Sequence, residues 1–155
     1  MASRNLFDPF IRYHLWAHDR IHTTLSTTRP LVQPAADLYA HLVHAEQLWM
    51  QRVGWMDHQP ENLFPEQSDF AETERIWHGV RPVWERIVIE LGHMDLSELI
   101  EYTSIEGETF RHTISDILLQ LLNHGTHHRS QINALLRRGG MDPPEIDYIA
   151  WVRQQ

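Results

Sequence analysis

Four stretches of this 155-residue chain repeat apolar residues at intervals of three and four, a spacing that puts them on one side of a helix and forces helix to pack on helix. The last stretch is the most regular: Ile114, Ile117, Leu118, Leu121, Leu122, Ile132, Leu135 and Leu136 share a face. Thr113 with Asp116 three positions on can cap its start, and Arg137-Arg138-Gly139-Gly140 can end it. The first runs from about Asn5 to Thr28 through Phe7, Ile11, Ala17, Ile21 and Leu25. The second opens at Pro34, a residue suited to a first helical turn, and closes at Val53 before Gly54. The third is capped by Asp69, with Glu72 completing a loose capping box, and carries Ile76, Val80, Val83, Trp84, Ile87 and Leu91. Pro82 lies inside it, so a kink or a late start is expected there. Residues 57–67 read as a long loop, Leu99–Thr103 and Glu108–Arg111 as a small hairpin about Ile105-Glu106-Gly107, and residues 145–153 as one or two helical turns. These elements predict one all-α domain spanning 1–155, a four-helix bundle.

Composition narrows the function classes. With 13 basic and 21 acidic residues, a formal charge of −8 and 42% hydrophobic residues, the chain has no basic footprint for nucleic acid or an anionic membrane. Cysteine is absent, which removes disulfides, thiolate ligands and a cysteine nucleophile. No apolar run approaches a membrane span and the N-terminal stretch does not read as a secretion leader, so a cytoplasmic protein is expected. The peptidase pattern His-Glu-x-x-His fails because Gly125 follows His124, and GxSxG, P-loop and GxGxxG patterns are missing. Paired Glu-x-x-His motifs of di-iron bundles are also missing, which favours a mononuclear site.

Twelve histidines remain to be explained. His124 and His128 are four apart, so both rings leave the same side of the fourth helix. Projected at about 100° per residue, His128 lies within roughly 30° of the buried centre and His124 within roughly 70°, while His127 points elsewhere. Gly125 faces inward and would let a neighbour approach closely, against a helix-propensity cost of about 1 kcal/mol. On the second helix the same projection favours His41 over His44. His14, His18 and His22 recur at i+4 on the first helix and form either a rival metal site or the polar lining of a pocket. Glu46 either supports a ligand or pairs within the core. His58, His78, His93 and His112 are read as surface residues, and Arg129 and Gln131 as residues that orient the His-bearing helix or simply meet solvent. The tryptophans are packing residues or dimer-surface candidates.

Three blocks of the chain resemble the DinB-like family of four-helix-bundle metalloproteins, which is distinct from the DNA polymerase sharing that name. Tyr13-His-Leu-Trp-Ala-His-Asp-Arg-Ile21 is similar to the family's opening block, His41-Leu-Val-His-Ala-Glu-Gln-Leu-Trp49 to its second-helix block, and Asn123-His-Gly-Thr-His-His-Arg-Ser-Gln131 to its most specific one. The tail Pro143-Pro-Glu-Ile-Asp-Tyr-Ile149 matches as well. His14 and His18 stand where asparagine-like residues are usual, and Ser130 replaces glycine. The resemblance implies an atypical crossover connection, frequent homodimers, and His41, His124 and His128 as ligands of a divalent metal. Zn is favoured, with Ni, Fe or Mn as alternatives, since imidazole does not choose sharply among them.

The resemblance further implies that some members are S-transferases using bacillithiol, mycothiol or glutathione. For this chain the leading expectation is a metal-dependent enzyme that joins a low-molecular-weight thiol to a small electrophilic substrate, with His14 or His18 as catalytic pocket groups. A metal-dependent hydrolase of small esters or amides and a non-catalytic metal-binding stress-response dimer are the alternatives.

Overall fold

A computed structural model describes the backbone of residues 2–155 and the side chains from Leu6 onward. Its elements are α1 (Ala2–Thr27), α2 (Gln33–Val53), α3 (Phe70–Glu90), β1 (Leu99–Thr103), β2 (Thr109–Thr113), α4 (Ile114–Arg138) and α5 (Tyr148–Val152). The local chemistry explains most boundaries. Thr113 and Asp116 form a reciprocal capping box at the start of α4, and the Asp69 carboxylate accepts from Ala71 N–H at the start of α3. Glu72 pairs with Arg75. At the end of α2 the chain turns through Gly54 with φ of 82°, a left-handed conformation that glycine adopts without steric cost. Pro82 sits within a continuous α3 that begins at Phe70, so the late start does not occur.

The four long helices form a closed ring of seams in the order α1, α3, α2, α4: α1 and α2 each pack on both α3 and α4, and neither α1 with α2 nor α3 with α4 forms a comparable seam. Helices adjacent in sequence at both ends of the bundle are therefore diagonal in space, which is the crossover. The main core cluster is built from Ile11, Ile21 and Leu25 of α1, Tyr39, Leu42 and Met50 of α2, Trp77, Val80 and Trp84 of α3, and Leu118, Leu121, Ile132 and Leu136 of α4, and a smaller one joins Tyr13, Ala17 and Trp151. Burying each large side chain contributes about 1.5–3 kcal/mol, so the interior can tolerate a few polar groups.

The antiparallel ribbon β1–β2 pairs Leu99 with Thr113 and Thr103 with Thr109. It survives because it is not isolated: it leans on α2 and α4, and the edge of Tyr102 meets Trp49 with ring centroids 4.9 Å apart. The short α5 returns to α1, where Tyr148 and Trp151 pack around Tyr13. No helix among the described residues is long and apolar enough to cross a membrane.

Candidate metal centre

The seam between α2 and α4 brings His41, His124 and His128 together, with one potential ligand atom from each lying within 4.8 Å of the others. The rings of His124 and His128 stand at 80° with centroids 4.3 Å apart, and His41 meets His128 at 88° and 4.9 Å. The Nε2 atoms of His124 and His128 are 3.0 Å apart.

Neighbouring groups decide which nitrogens carry protons. A carbonyl only accepts, so the 2.7 Å contact from His41 Nδ1 to the Leu63 carbonyl makes Nδ1 the protonated atom and leaves the Nε2 lone pair free. His128 Nδ1 likewise donates to Gln131 Oε1 at 2.7 Å, freeing its Nε2. Holding the outer nitrogen of an imidazole in this way is how proteins orient metal ligands. Burial pushes the His124 pKa down to about 4, and the neighbouring His128 and His41 add to the effect. His128 is lowered too, first by burial. Both shifts favour the uncharged form of His124 and His128 at neutral pH, the form that binds a cation.

The triad opens on a cavity of about 430 Å³ walled by Trp49, Arg52, Phe64, Tyr102 and Phe110. Phe64, 61% exposed, stacks flat on His41 at 4.7 Å. The Arg52 guanidinium lies 4.6 Å from the ring centres of both Trp49 and Tyr102 and donates to the Thr103 carbonyl. A larger groove of about 640 Å³ beside His44 contains none of the triad, and His44 itself is tied to the Asn62 carbonyl at 2.6 Å.

His14 and His18 do not reach this cavity. Both are fully buried, with Nε2 atoms 3.0 and 3.4 Å from Glu46 Oε1. Trp84 Nε1–H donates to the other Glu46 oxygen at 2.8 Å, and His18 stacks on Trp77 at 3.8 Å. The three side chains could enclose an ion by distance alone, but Arg129 argues otherwise. Its guanidinium has only donors and approaches His14 Nδ1 at 3.0 Å, so Nδ1 must accept and the ring proton must sit on Nε2, facing Glu46. Burial drives the His14 pKa down to about 4, against the pull of Glu46 and with help from Arg129. Burial also opposes ionisation of Glu46, yet His14 and His18 outweigh it and hold the carboxyl well below its ordinary range. A neutral imidazole thus lies between a buried cation and a buried carboxylate, 3.0 Å from each, although the His14 Nε2 and Glu46 Oε1 atoms do not complete a hydrogen bond. Gly125 makes this bridge fit: a Cβ there would lie 2.6 Å from His14 Cε1 and 2.8 Å from Arg129 Nη1.

Residue patterns alone left Arg129 between solvent and scaffold, although its position four after the inward Gly125 carries the signal. The structure buries it to 1% exposure. The Leu63 carbonyl, the Tyr102 and Phe110 walls and the aromatic clamp on Arg52 depend on a loop and a ribbon meeting the bundle, and only the place of Arg52 three after Trp49 hinted at them. His58, His93, His112 and His127 are exposed as their positions suggested.

Fold and site together define a helical-bundle protein whose histidine and glutamate groups could hold a divalent metal ion. The DinB family matches residues 10–155, and the chain belongs to it. A Bacillus subtilis (strain 168) relative, Protein DinB, is 23% identical over 151 residues, covering 88% of this chain and 87% of the relative. No solved structure matches the chain.

Proposed function

We propose that this protein is a metal-dependent enzyme that transfers a low-molecular-weight thiol to an electrophile, with His41, His124 and His128 as the metal ligands. The observation that carries the reading is the convergence of one donor atom from each of His41, His124 and His128 to within 4.8 Å beside a cavity, with His41 Nδ1 held by the Leu63 carbonyl and His128 Nδ1 by Gln131 Oε1. All-nitrogen donors suit Zn, Ni, Fe or Mn, and three protein ligands leave room for a reactant. A divalent ion held there supplies Lewis acidity that favours the deprotonated form of a thiol or water beside it.

The chain's own residues do the rest. With no cysteine in the sequence, the sulfur must arrive with a small molecule: its S–H proton leaves to solvent, a C–S bond forms, and the leaving group departs with its electron pair. Arg52, clamped between two aromatic rings on the cavity wall, suits a carboxylate on that thiol, while Glu106 on the rim tempers its charge. Phe64, stacked on His41, and Phe110 give the cavity apolar walls. His14 and His18, lying behind the triad, hold Glu46 and Arg129 in place and act as positioning residues without touching substrate. A homodimer and a cytoplasmic setting complete the proposal; sedimentation of the purified protein tests the first.

The experiment compares purified protein, loaded with zinc or nickel, against panels of electrophiles with and without glutathione, bacillithiol or mycothiol. Thiol consumption that His128→Ala abolishes is the expected result. Turnover that needs no thiol would favour metal-dependent hydrolysis, and full activity in a variant shown by elemental analysis to hold no metal would overturn the proposal.

A further inference from the structure

The ring order of the helices puts the seam between α1 and α3 on the side of the bundle opposite the triad's seam, and that far seam carries a second set of donors. Glu74 and His78 are four apart on α3, so their side chains share a face. His22 of α1 reaches across to them, its Nε2 3.1 Å from Glu74 Oε1. One donor atom from each of the three lies within 4.8 Å of the others. We propose that His22, Glu74 and His78 form a second divalent-metal site, separate from the triad, that clamps α1 to α3.

Two further features support the site. His22 does not swing freely: its ring lies 5.4 Å from that of Phe70 and 5.9 Å from that of Tyr39, and its Nδ1 is 3.0 Å from the Tyr39 hydroxyl. The hydroxyl can accept from Nδ1–H, which leaves Nε2 for the ion, the same outer-nitrogen support that the Leu63 carbonyl gives His41. Access is also present, because Glu74 keeps 39% of its side chain in solvent and His78 is exposed. The core cluster of His14, His18 and Glu46 lacks both properties, since Arg129 occupies the outer nitrogen of His14 and no solvent reaches it. Two imidazoles and one carboxylate favour zinc, nickel, cobalt or copper over magnesium or calcium, which prefer all-oxygen shells. An ion would be held between the His22 Nε2 and Glu74 Oε1 atoms that face each other at 3.1 Å, leaving at least one coordination position to water.

Equilibrium dialysis of the full chain against excess zinc, read by elemental analysis, tests this without any activity assay. Wild type should hold two ions per chain. The double variant Glu74→Gln/His78→Gln should hold one, and His41→Ala/His128→Ala should also hold one, lost when the two pairs are combined. His78→Gln alone, which alters only an exposed side chain, should weaken the second site at least tenfold and guards against a folding defect in the double variant. Two ions retained by Glu74→Gln/His78→Gln, or none held by a folded His41→Ala/His128→Ala protein, would overturn the proposal. Loss of the ion assigned to the triad shows in the opposite variant, so failure of one site is not confused with failure of the other.

Discussion

Alanine at position 125 would set a methyl group 2.6 Å from the His14 ring and 2.8 Å from the Arg129 guanidinium. Helix propensity alone favours alanine by about 1 kcal/mol, but overpacking of a tight interior costs about 1–3 kcal/mol, and here the atoms displaced belong to a buried charge bridge. Gly125→Ala should therefore be net destabilising by up to about 2 kcal/mol, measured by urea unfolding; a stabilised variant would mean that the bridge does not need the glycine. His14 gives the same region a pH dependence. Its folded pKa of about 4 lies below its ordinary 6.5, so between those values the unfolded chain binds a proton that the native state refuses. Stability of the chelated protein should then rise with pH across that window and fall on acidification. His124, also lowered to about 4, adds to the slope in the same direction, so His14→Asn should make it shallower without abolishing it, and an unchanged slope would contradict the assignment. At the cavity wall, Arg52→Gln should raise KM for a carboxylate-bearing thiol several-fold with little change in kcat. Helical projection singled out His41, His124 and His128, because direction around a helix follows from sequence spacing alone. It could not see that an arginine's donors fix the proton on His14, since that depends on which helix lies opposite.

The helices were legible because their ends are chemically marked. Thr113 and Asp116 bond reciprocally at the start of α4, and Thr113→Ala should cost about 1 kcal/mol of stability in thermal or denaturant unfolding; no loss would show that the hairpin, rather than the cap, holds that end. Gly54 ends α2 for an equally local reason. Pro82 does not delay the start of the helix: it removes one donor, yet the packing of Trp77, Val80, Val83, Trp84 and Ile87 on both sides keeps α3 continuous from Phe70. Tertiary burial there outweighs a local penalty of about 3 kcal/mol. The ribbon was legible only as a pattern of two short runs around Gly107. Its role as a cavity wall comes from contacts between Tyr102 and α2 that no local rule encodes.

At the scale of the molecule, the ring order α1, α3, α2, α4 puts donors from distant parts of the sequence on shared seams, and ligand binding should feed back on the fold. An ion that binds the native state alone stabilises it in proportion to RT ln(1 + [L]/Kd), about 2.7 kcal/mol at a hundredfold excess over Kd. Removing metal with a chelator should lower Tm by several degrees and readdition should restore it. A Tm indifferent to zinc in wild type but not in the triad variant would be incompatible with triad occupancy.

Division of labour follows from the way Tyr102, Ser104, Ile105, Glu106 and Phe110 border the cavity while its imidazoles come from α2 and α4. On the proposed reading, rods that bear the ligands could not drift without losing the ion, whereas a surface ribbon could change length and side chains more freely. Grafting a different ribbon onto the same four rods should exchange the molecules admitted to the metal and leave its affinity intact, so new specificities are reachable without rebuilding the centre.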